Sequence, residues 1–455
     1  MKQGDKIKFS VQRLGGGGEG LAFDDGHTIV VPFALPKETV SARVVHVRRD
    51  GTAFASLLSV DKPASERTEP PCPVFGVCGG CQLMHMSYAA QLEFKRNLVS
   101  DNLKKIGGFN IELPEVVPSP CVLGYRNKVQ QPVGFDGRTA FTGFFKCGTH
   151  DVVRVSRCLL QQKEARMATA VFERFLNDCE ISVYDEKTGK GLVRHFLARY
   201  ADGQLLATVV ANGGALPHWE KLYDALAKTY PKVGLFLNEN RARSNVILGT
   251  KTVWLKGLKE IASNMCGVEF YLQPDSFFQV NTPVAEMIYR EVKEQVLSCG
   301  TEVLIECFSG VGVLSAMLAD DSYDSFGIEI VPSAWQDAQK IKEKNNLKRL
   351  TNICGDVNEE LPKLACRCAG KNVTVVVDPP RKGLDKGVLS TLTGFKPHTI
   401  VYVSCDSATL ARDLADFCAS GYEVVFVRAF DMFPNTKHVE TLVVLRRKPL
   451  TAFRE

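Results

Sequence analysis

No apolar run in this 455-residue sequence is long enough to cross a bilayer, and the first residues, MKQGDKIKFS, lack the apolar core of a secretory signal. A cytoplasmic location without a membrane partner is the expectation. Strong charge of either sign is also missing: 56 Lys and Arg stand against 51 Asp and Glu, a formal net charge of +5. That balance is compatible with nucleic acid without demanding it, since a structured, locally basic face would suffice. Complete phosphate-binding fingerprints are absent. The Gly15–Gly18 run has no Lys-Ser/Thr pair and no helix after it, and the Gly310/Gly312 turn lacks a third glycine. With 45% hydrophobic and 24% charged residues, the chain reads as a soluble globular protein of two or three domains.

Cysteine is not scarce. A cytoplasmic chain with 15 cysteines is not expected to hold a disulfide framework. Most sit singly in apolar runs, as Cys354, Cys366 and Cys418 do, and read as inert buried thiols. Two groups differ. One is Cys405, at the end of the β-branched run TIVYVS and just before a helix beginning near Ser407. A thiol at a strand end and near a helix start is where a reactive thiolate is favoured, so Cys405 reads as a nucleophile. A parallel run, VTVVV, delivers Asp378 and the rigid Pro379-Pro380 to the same edge of an open α/β sheet.

The other group is Cys72, Cys78 and Cys81, spaced C-x5-C-x2-C around Gly79-Gly80, with Cys158 as the best fourth ligand. Four thiolates can hold zinc or an iron–sulfur cluster, and the lack of a second C-x2-C pair or a His pair argues against a zinc ribbon. Upstream, strand-like runs separated by turn signals over residues 1–60 predict a five-stranded barrel of the OB kind, with Arg43, Arg48 and Arg49 as phosphate contacts. A polar, proline-rich linker follows. Residues 61–261 then read as a middle domain, with an amphipathic helix bearing Lys95, Arg96, Lys104 and Lys105, and a mixed sheet. Aromatic and basic residues interleave there, among them Tyr125, Arg126, Lys128 and Phe144, a mixture suited to unpaired RNA bases.

From residue 262 to 455 the pattern is an α/β unit. The strand TEVLIECF runs into the glycine turn, which lets a cofactor approach the backbone. The next strand ends in Glu329, placed to bind ribose hydroxyls, and the third in Asp356, which could face an adenine amino group.

Taken together, these motifs resemble the RNA uracil-5-methyltransferases that carry an iron–sulfur cluster and a TRAM domain. The resemblance rests on the cysteine cluster, FFQVN, FSGVG, GIEIV, DPPRKGL, SCDSATLARDL and FPNTKHVETLVVL, and covers nearly the whole chain. It is closer to the branch acting on 23S ribosomal RNA than to the transfer-RNA branch, which typically lacks the TRAM domain and cluster. It implies an α/β fold: a Rossmann-like class I methyltransferase domain after a TRAM-like OB barrel and a mixed α+β cluster-binding domain. It places S-adenosylmethionine contacts on Gln279, Phe308, Glu329, Asp356 and Asp378, the nucleophile on Cys405 and the closing base on Glu440. It assigns a 4Fe–4S cluster to Cys72, Cys78, Cys81 and Cys158, expected to lie away from the α/β domain with a structural and RNA-recognition role. Val313 stands where the family often has a polar residue, and is left out of the site.

The chemistry agrees. Carbon-5 of uracil is a poor nucleophile until a thiolate adds at carbon-6, and a carboxylate must later remove the carbon-5 proton. A stacked base cannot meet both a thiol and a sulfonium, so the target is flipped out. Two other readings are an RNA-binding protein without turnover, which predicts loss of Cys405 or Glu440, and an amino-group methyltransferase. The latter favours an aromatic residue where Arg381 stands.

Overall fold

The computed structural model of the protein describes residues 1–24 and 26–449; Asp25 of the DDG turn and residues 450–455 of the expected C-terminal domain lie outside the described residues. The first sheet has six strands: β1 (Lys6–Ser10), β2 (Arg13–Leu14), β3 (Gly20–Asp24), β4 (His27–Val31), β5 (Thr39–Val47) and β6 (Thr52–Lys62). Their order is β1-β5-β6-β4-β3-β2, so β1 and β2 are edges, and among the described residues the pairing does not close into the expected five-stranded barrel. The additional strand is β2, two residues paired with β3 across the glycine hairpin. Ile29, Val31, Val40 and Ala42 alternate inward from this sheet to a small core of their own.

Helix α1 (Tyr88–Lys105) follows, capped by the Ser87 hydroxyl. It departs from its sequence reading in one respect: Lys95 is not a surface cation. It is fully buried, ion-paired with Asp431, and donates to the Phe433 carbonyl at 3.0 Å. Breaking a buried pair of this kind costs about 3–5 kcal/mol.

The second sheet comprises β7 (Lys128–Phe135), β8 (Ala140–Phe145), β9 (Val152–Arg154), β10 (Val193–Ala201), β11 (Gln204–Ala211), β12 (Lys232–Glu239) and β13 (Lys251–Gly257). Their order is β13-β12-β11-β10-β7-β8-β9. Two helices cover it, α2 (Lys163–Asp178) and α3 (Trp219–Ala227), through Phe172, Leu176, Leu222 and Leu226. Helix α2 is an addition to the sheet expected here, although its apolar residues Ala165, Ala168, Phe172, Phe175 and Leu176 repeat at helical spacing.

A hairpin of β14 (Ile261–Met265) and β15 (Val268–Leu272) leads to α4 (Thr282–Ser298), which starts at a proline. The doubly wound unit then runs β16 (Val303–Cys307), α5 (Val313–Leu318), β17 (Asp324–Glu329), α6 (Pro332–Lys344), β18 (Leu350–Cys354), α7 (Val357–Lys363), α8 (Ala365–Cys368), β19 (Val373–Val377), α9 (Lys386–Phe395), β20 (Thr399–Ser404), α10 (Ser407–Ala419), β21 (Tyr422–Phe430) and β22 (Glu440–Arg447). The sheet order is β18-β17-β16-β19-β20-β22-β21, with parallel pairing from β18 to β20 and antiparallel pairing beyond. Alternate residues feed opposite cores: Val303, Ile305, Val375 and Val377 face one, and Leu304, Val376, Val401 and Val403 the other. Val99 and Leu103 of α1 lie in the first of these cores, so this helix packs as part of the doubly wound unit. The strand order reverses between β16 and β19, which marks the crevice where such sheets bind ligands.

Candidate active site

The crevice is a cavity of about 760 Å³ beyond the carboxyl ends of β16, β17, β19 and β20. Six residues nominated from sequence line it together: Gln279, Phe308, Glu329, Asp378, Cys405 and Glu440. One wall is the FSGVG turn, whose backbone is forced left-handed at Phe308 (φ 65°), Gly310 (φ 55°) and Gly312 (φ 82°). A phenylalanine in that region is strained, and such strain collects at ligand sites. Gly312 is needed because a Cβ there would come within 2.6 Å of the Ala338 side chain, so α6 can pack against the turn. A Cβ on Gly310 would meet nothing within 4 Å. The Glu329 carboxylate accepts the Gly310 N–H at 2.8 Å and the Val331 N–H at 2.7 Å, which fixes the acid against the turn. Each oxygen retains a lone pair for a ligand hydroxyl.

Asp356 is not among the cavity-lining residues. It is the N-cap of α7 and accepts the Asn358 N–H at 2.7 Å.

Cys405 stands between Ser404, the last residue of β20, and Asp406, which caps α10 by accepting the Ala408 and Thr409 N–H groups at 3.0 and 3.1 Å. The thiolate-favouring environment expected from a helix start is not what the cavity provides. Burial, then the Glu440 and Asp378 carboxyls, push the Cys405 thiol up to about 11 against the opposing pull of Arg381. Burial also raises the carboxyls of Asp378 and Glu440, and the charge of Asp378 raises Glu440 further. Burial thus disfavours charge on Asp378 and Glu440, and Arg381 is the group that favours charge on both Cys405 and Glu440.

The four clustered cysteines are also brought together. Cys72, Cys78, Cys81 and Cys158 line a second cavity of about 430 Å³, with Arg126 and Lys128 in its wall. Burial raises Cys78, Cys81 and Cys158, and the other thiols add to the rise. Among the described residues no group of three or more His, Cys, Asp or Glu is arranged to hold a metal ion. The expected separation from the α/β unit is corrected by the structure: Arg126, Phe277, Phe278 and Val280 line both cavities.

Arg126, read from sequence as an RNA contact, and Arg381 also line the cavity, as do three residues that sequence reasoning missed: Phe277, Phe433 and Asp337. Phe277 and Phe433 stand beside nominated residues in FFQVN and FPNTKHVE, which is the signal that could have found them. Phe277 is 73% exposed, an unusual state for a large aromatic. Asp337 has no sequence signal. It lies mid-helix in α6, buried, and accepts from Gln273 at 2.8 Å and the Ser276 hydroxyl at 3.2 Å.

Comparison with known proteins agrees with this geometry. The model of the tRNA (Uracil-5-)-methyltransferase family matches residues 87–448. An uncharacterised RNA methyltransferase of Listeria innocua is 36% identical over 98% of this chain and 99% of its own. Another, from Caldanaerobacter subterraneus, is 37% identical with the same coverage. Among solved structures, the tRNA (uracil-54, C5)-methyltransferase of Pyrococcus abyssi, in complex with S-adenosyl-L-homocysteine, superposes with a TM-score of 0.78 at 29% identity, covering 96% of this chain and 99% of that one. A strained glycine turn, an acid fixed to it, and a thiol among buried carboxyls thus stand in a chain that belongs to the tRNA (uracil-5-)-methyltransferase family.

Proposed function

We propose that the protein transfers a methyl group to carbon-5 of a uridine in 23S ribosomal RNA, through a covalent bond from Cys405 to carbon-6 of a flipped-out base. The observation that carries this is the meeting of Cys405, Asp378 and Glu440, from three separate strand ends, in one cavity beside the FSGVG turn. A volume of about 760 Å³ is in the range of cofactor and ligand pockets. Gln279, Phe308, Glu329 and Asp378 would hold S-adenosylmethionine, which supplies an electrophilic methyl group when bound. Asp356 remains a candidate for its adenine amino group through the carboxylate oxygen that does not cap α7.

Cys405 adds through sulfur to carbon-6, and carbon-5 becomes nucleophilic. Glu440 then takes the carbon-5 proton, and the thiolate leaves as the ring double bond reforms. A carboxyl raised toward neutrality is a stronger base than an ordinary glutamate, which suits this step. The raised thiol of Cys405 passes its proton to the Asp378 carboxylate as the uracil arrives, burial having made that carboxylate a stronger proton acceptor than usual, with Arg381 the group that favours the charge on sulfur.

The four-thiol cavity is proposed to hold the 4Fe–4S cluster. A single ion needs its sulfurs about 2.3 Å from one point, whereas a cluster is a larger body bound at its corners. Four thiols lining one cavity suit the latter, and Arg126 and Lys128 would offset the negative charge of ligated thiolates. Residues 1–60 and 61–261 are proposed as the TRAM-like and cluster-bearing RNA-holding domains, and 262–455 as the methyltransferase domain. No described helix is long and apolar enough to cross a membrane; a cytoplasmic location is part of the proposal.

A second reading has a specific observation behind it. The likeness to the Pyrococcus tRNA enzyme extends over 96% of this chain, so the N-terminal sheet and cysteine region do not by themselves select ribosomal over transfer RNA. Mass mapping of RNA from a strain lacking the gene decides between them. Loss of 5-methyluridine from 23S RNA is expected, loss from transfer RNA favours the second reading, and no loss contradicts both.

A further inference from the structure

Glu440 enters its strand from the loop at residues 431–439, and this loop is held from outside the C-terminal sheet. Asn435 is its anchor: 4% exposed, with a left-handed backbone (φ 67°) of the kind asparagine tolerates. Its carbonyl accepts the N–H groups of Gln82 and Leu83 at 3.1 and 3.0 Å, the two residues after Cys81. Its own N–H donates to Gln91 Oε1 at 2.8 Å, and Gln91 Nε2 donates back to Asn435 Oδ1 at 3.3 Å. Its Nδ2 donates to the Val122 carbonyl at 2.9 Å. Neighbouring grips come from the same side: Tyr125 donates to the Pro434 carbonyl at 3.1 Å, and Lys95 pairs with Asp431. Phe433 and Glu440, meanwhile, face the reaction cavity.

We propose that Asn435 is a positioning residue that fastens the loop leading into Glu440 to the segment after Cys81, and so controls the closing proton transfer rather than the methyl transfer. This rests on the reading of Glu440 as the closing base. In that step the carboxylate takes the carbon-5 proton, the C–H electron pair forms the carbon-5–carbon-6 double bond, and the carbon–sulfur bond breaks to return a thiolate on Cys405. Asn435 touches none of these atoms. Cys405 follows β20 and the FSGVG turn follows β16, whereas Glu440 is the first residue of β22, where the pairing with β20 ends at Ser404 and Thr441. The loop therefore acts on the base at the end of its strand, and loosening it displaces the base more than the nucleophile. A misplacement of about 1 Å in a reacting group slows its step by about 10²-fold.

The test is single-turnover methylation by the full-length, cluster-loaded protein on labelled RNA, with the covalent adduct and released product followed on denaturing gels. Asn435→Gly keeps the left-handed backbone and the carbonyl acceptor while removing the amide; Gln91→Ala removes the facing amide and leaves Asn435 in place, and serves if the first variant does not fold. Expected in both is methyl transfer at the unsubstituted rate, with release of the methylated adduct slowed about 10–10²-fold. Equal slowing of both steps, or normal release, overturns the proposal. If the unsubstituted protein forms no adduct even with 5-fluorouridine RNA, the closing-base reading falls and the proposal with it.

Discussion

The two cavities share a wall of Arg126, Phe277, Phe278 and Val280, yet they place their thiols in opposite company. In one, four cysteines line the wall together with Arg126 and Lys128. In the other, a single cysteine faces Asp378 and Glu440, with Arg381 as counterweight. Burial raises the thiol in both cases, so burial alone does not decide the role. Neighbours do. Thiols beside thiols and cations suit ligation by a positive group, which deprotonates them outright. A thiol beside carboxyls stays protonated until an electrophilic carbon arrives, which protects a nucleophile from idle oxidation and alkylation.

Exchanging the damage between the two cavities breaks this comparison most sharply. Cys405→Ala should abolish methylation while leaving the iron, acid-labile sulfide and brown colour of anaerobically purified protein. Cys81→Ser should lose the colour and weaken RNA binding while S-adenosylhomocysteine still binds. Methylation by Cys405→Ala, or a colourless, zinc-filled unsubstituted protein, would undo one side each.

Glu440→Gln keeps the thiol and removes the base. Turnover should fall by about 10²–10⁴-fold, with methylated RNA left attached to the protein in a rapid-quench assay. Normal turnover would move the base to Asp378 or a bound water.

The legible parts of the molecule were those where function fixes a local pattern. Cys405 and Asp378 stand at strand ends that β-branched runs announce, Glu329 ends the strand that follows the glycine turn, and the structure brings all three to one cavity. Contacts between segments far apart in sequence were not legible. Lys95 reads as a surface charge on a basic helix, and only the fold sets it on Asp431 in a dry interior. Asp337 likewise looks like any mid-helix acid until Gln273 and Ser276 meet it. The chemical state of Cys405 was misread for the same reason. A helix start favours a thiolate, but Glu440 arrives from a strand 35 positions later in the chain and, with burial, outweighs it.

A smaller effect is expected at Glu329. Alanine there removes charged acceptors of ligand hydroxyls and should weaken S-adenosylhomocysteine by about 1.5–3 kcal/mol in calorimetry; unchanged affinity removes Glu329 from the site. The smallest is a shift in a titration. Alkylation of Cys405 by iodoacetamide should rise with pH toward a midpoint of about 11. Because a neighbouring negative charge disfavours the thiolate, Asp378→Asn should lower that midpoint, and Arg381→Ala should raise it. A midpoint unmoved by both would mean that burial and Glu440 set the thiol.

The central claim, that the lone thiol among carboxyls is the nucleophile, is tested most directly with RNA carrying 5-fluorouridine. Fluorine at carbon-5 cannot leave as a proton does, so the unsubstituted protein with S-adenosylmethionine should stop as a protein–RNA adduct that survives denaturation. Peptide mapping should place that adduct on Cys405. An adduct on any other residue, or methylation without any adduct, would contradict the account.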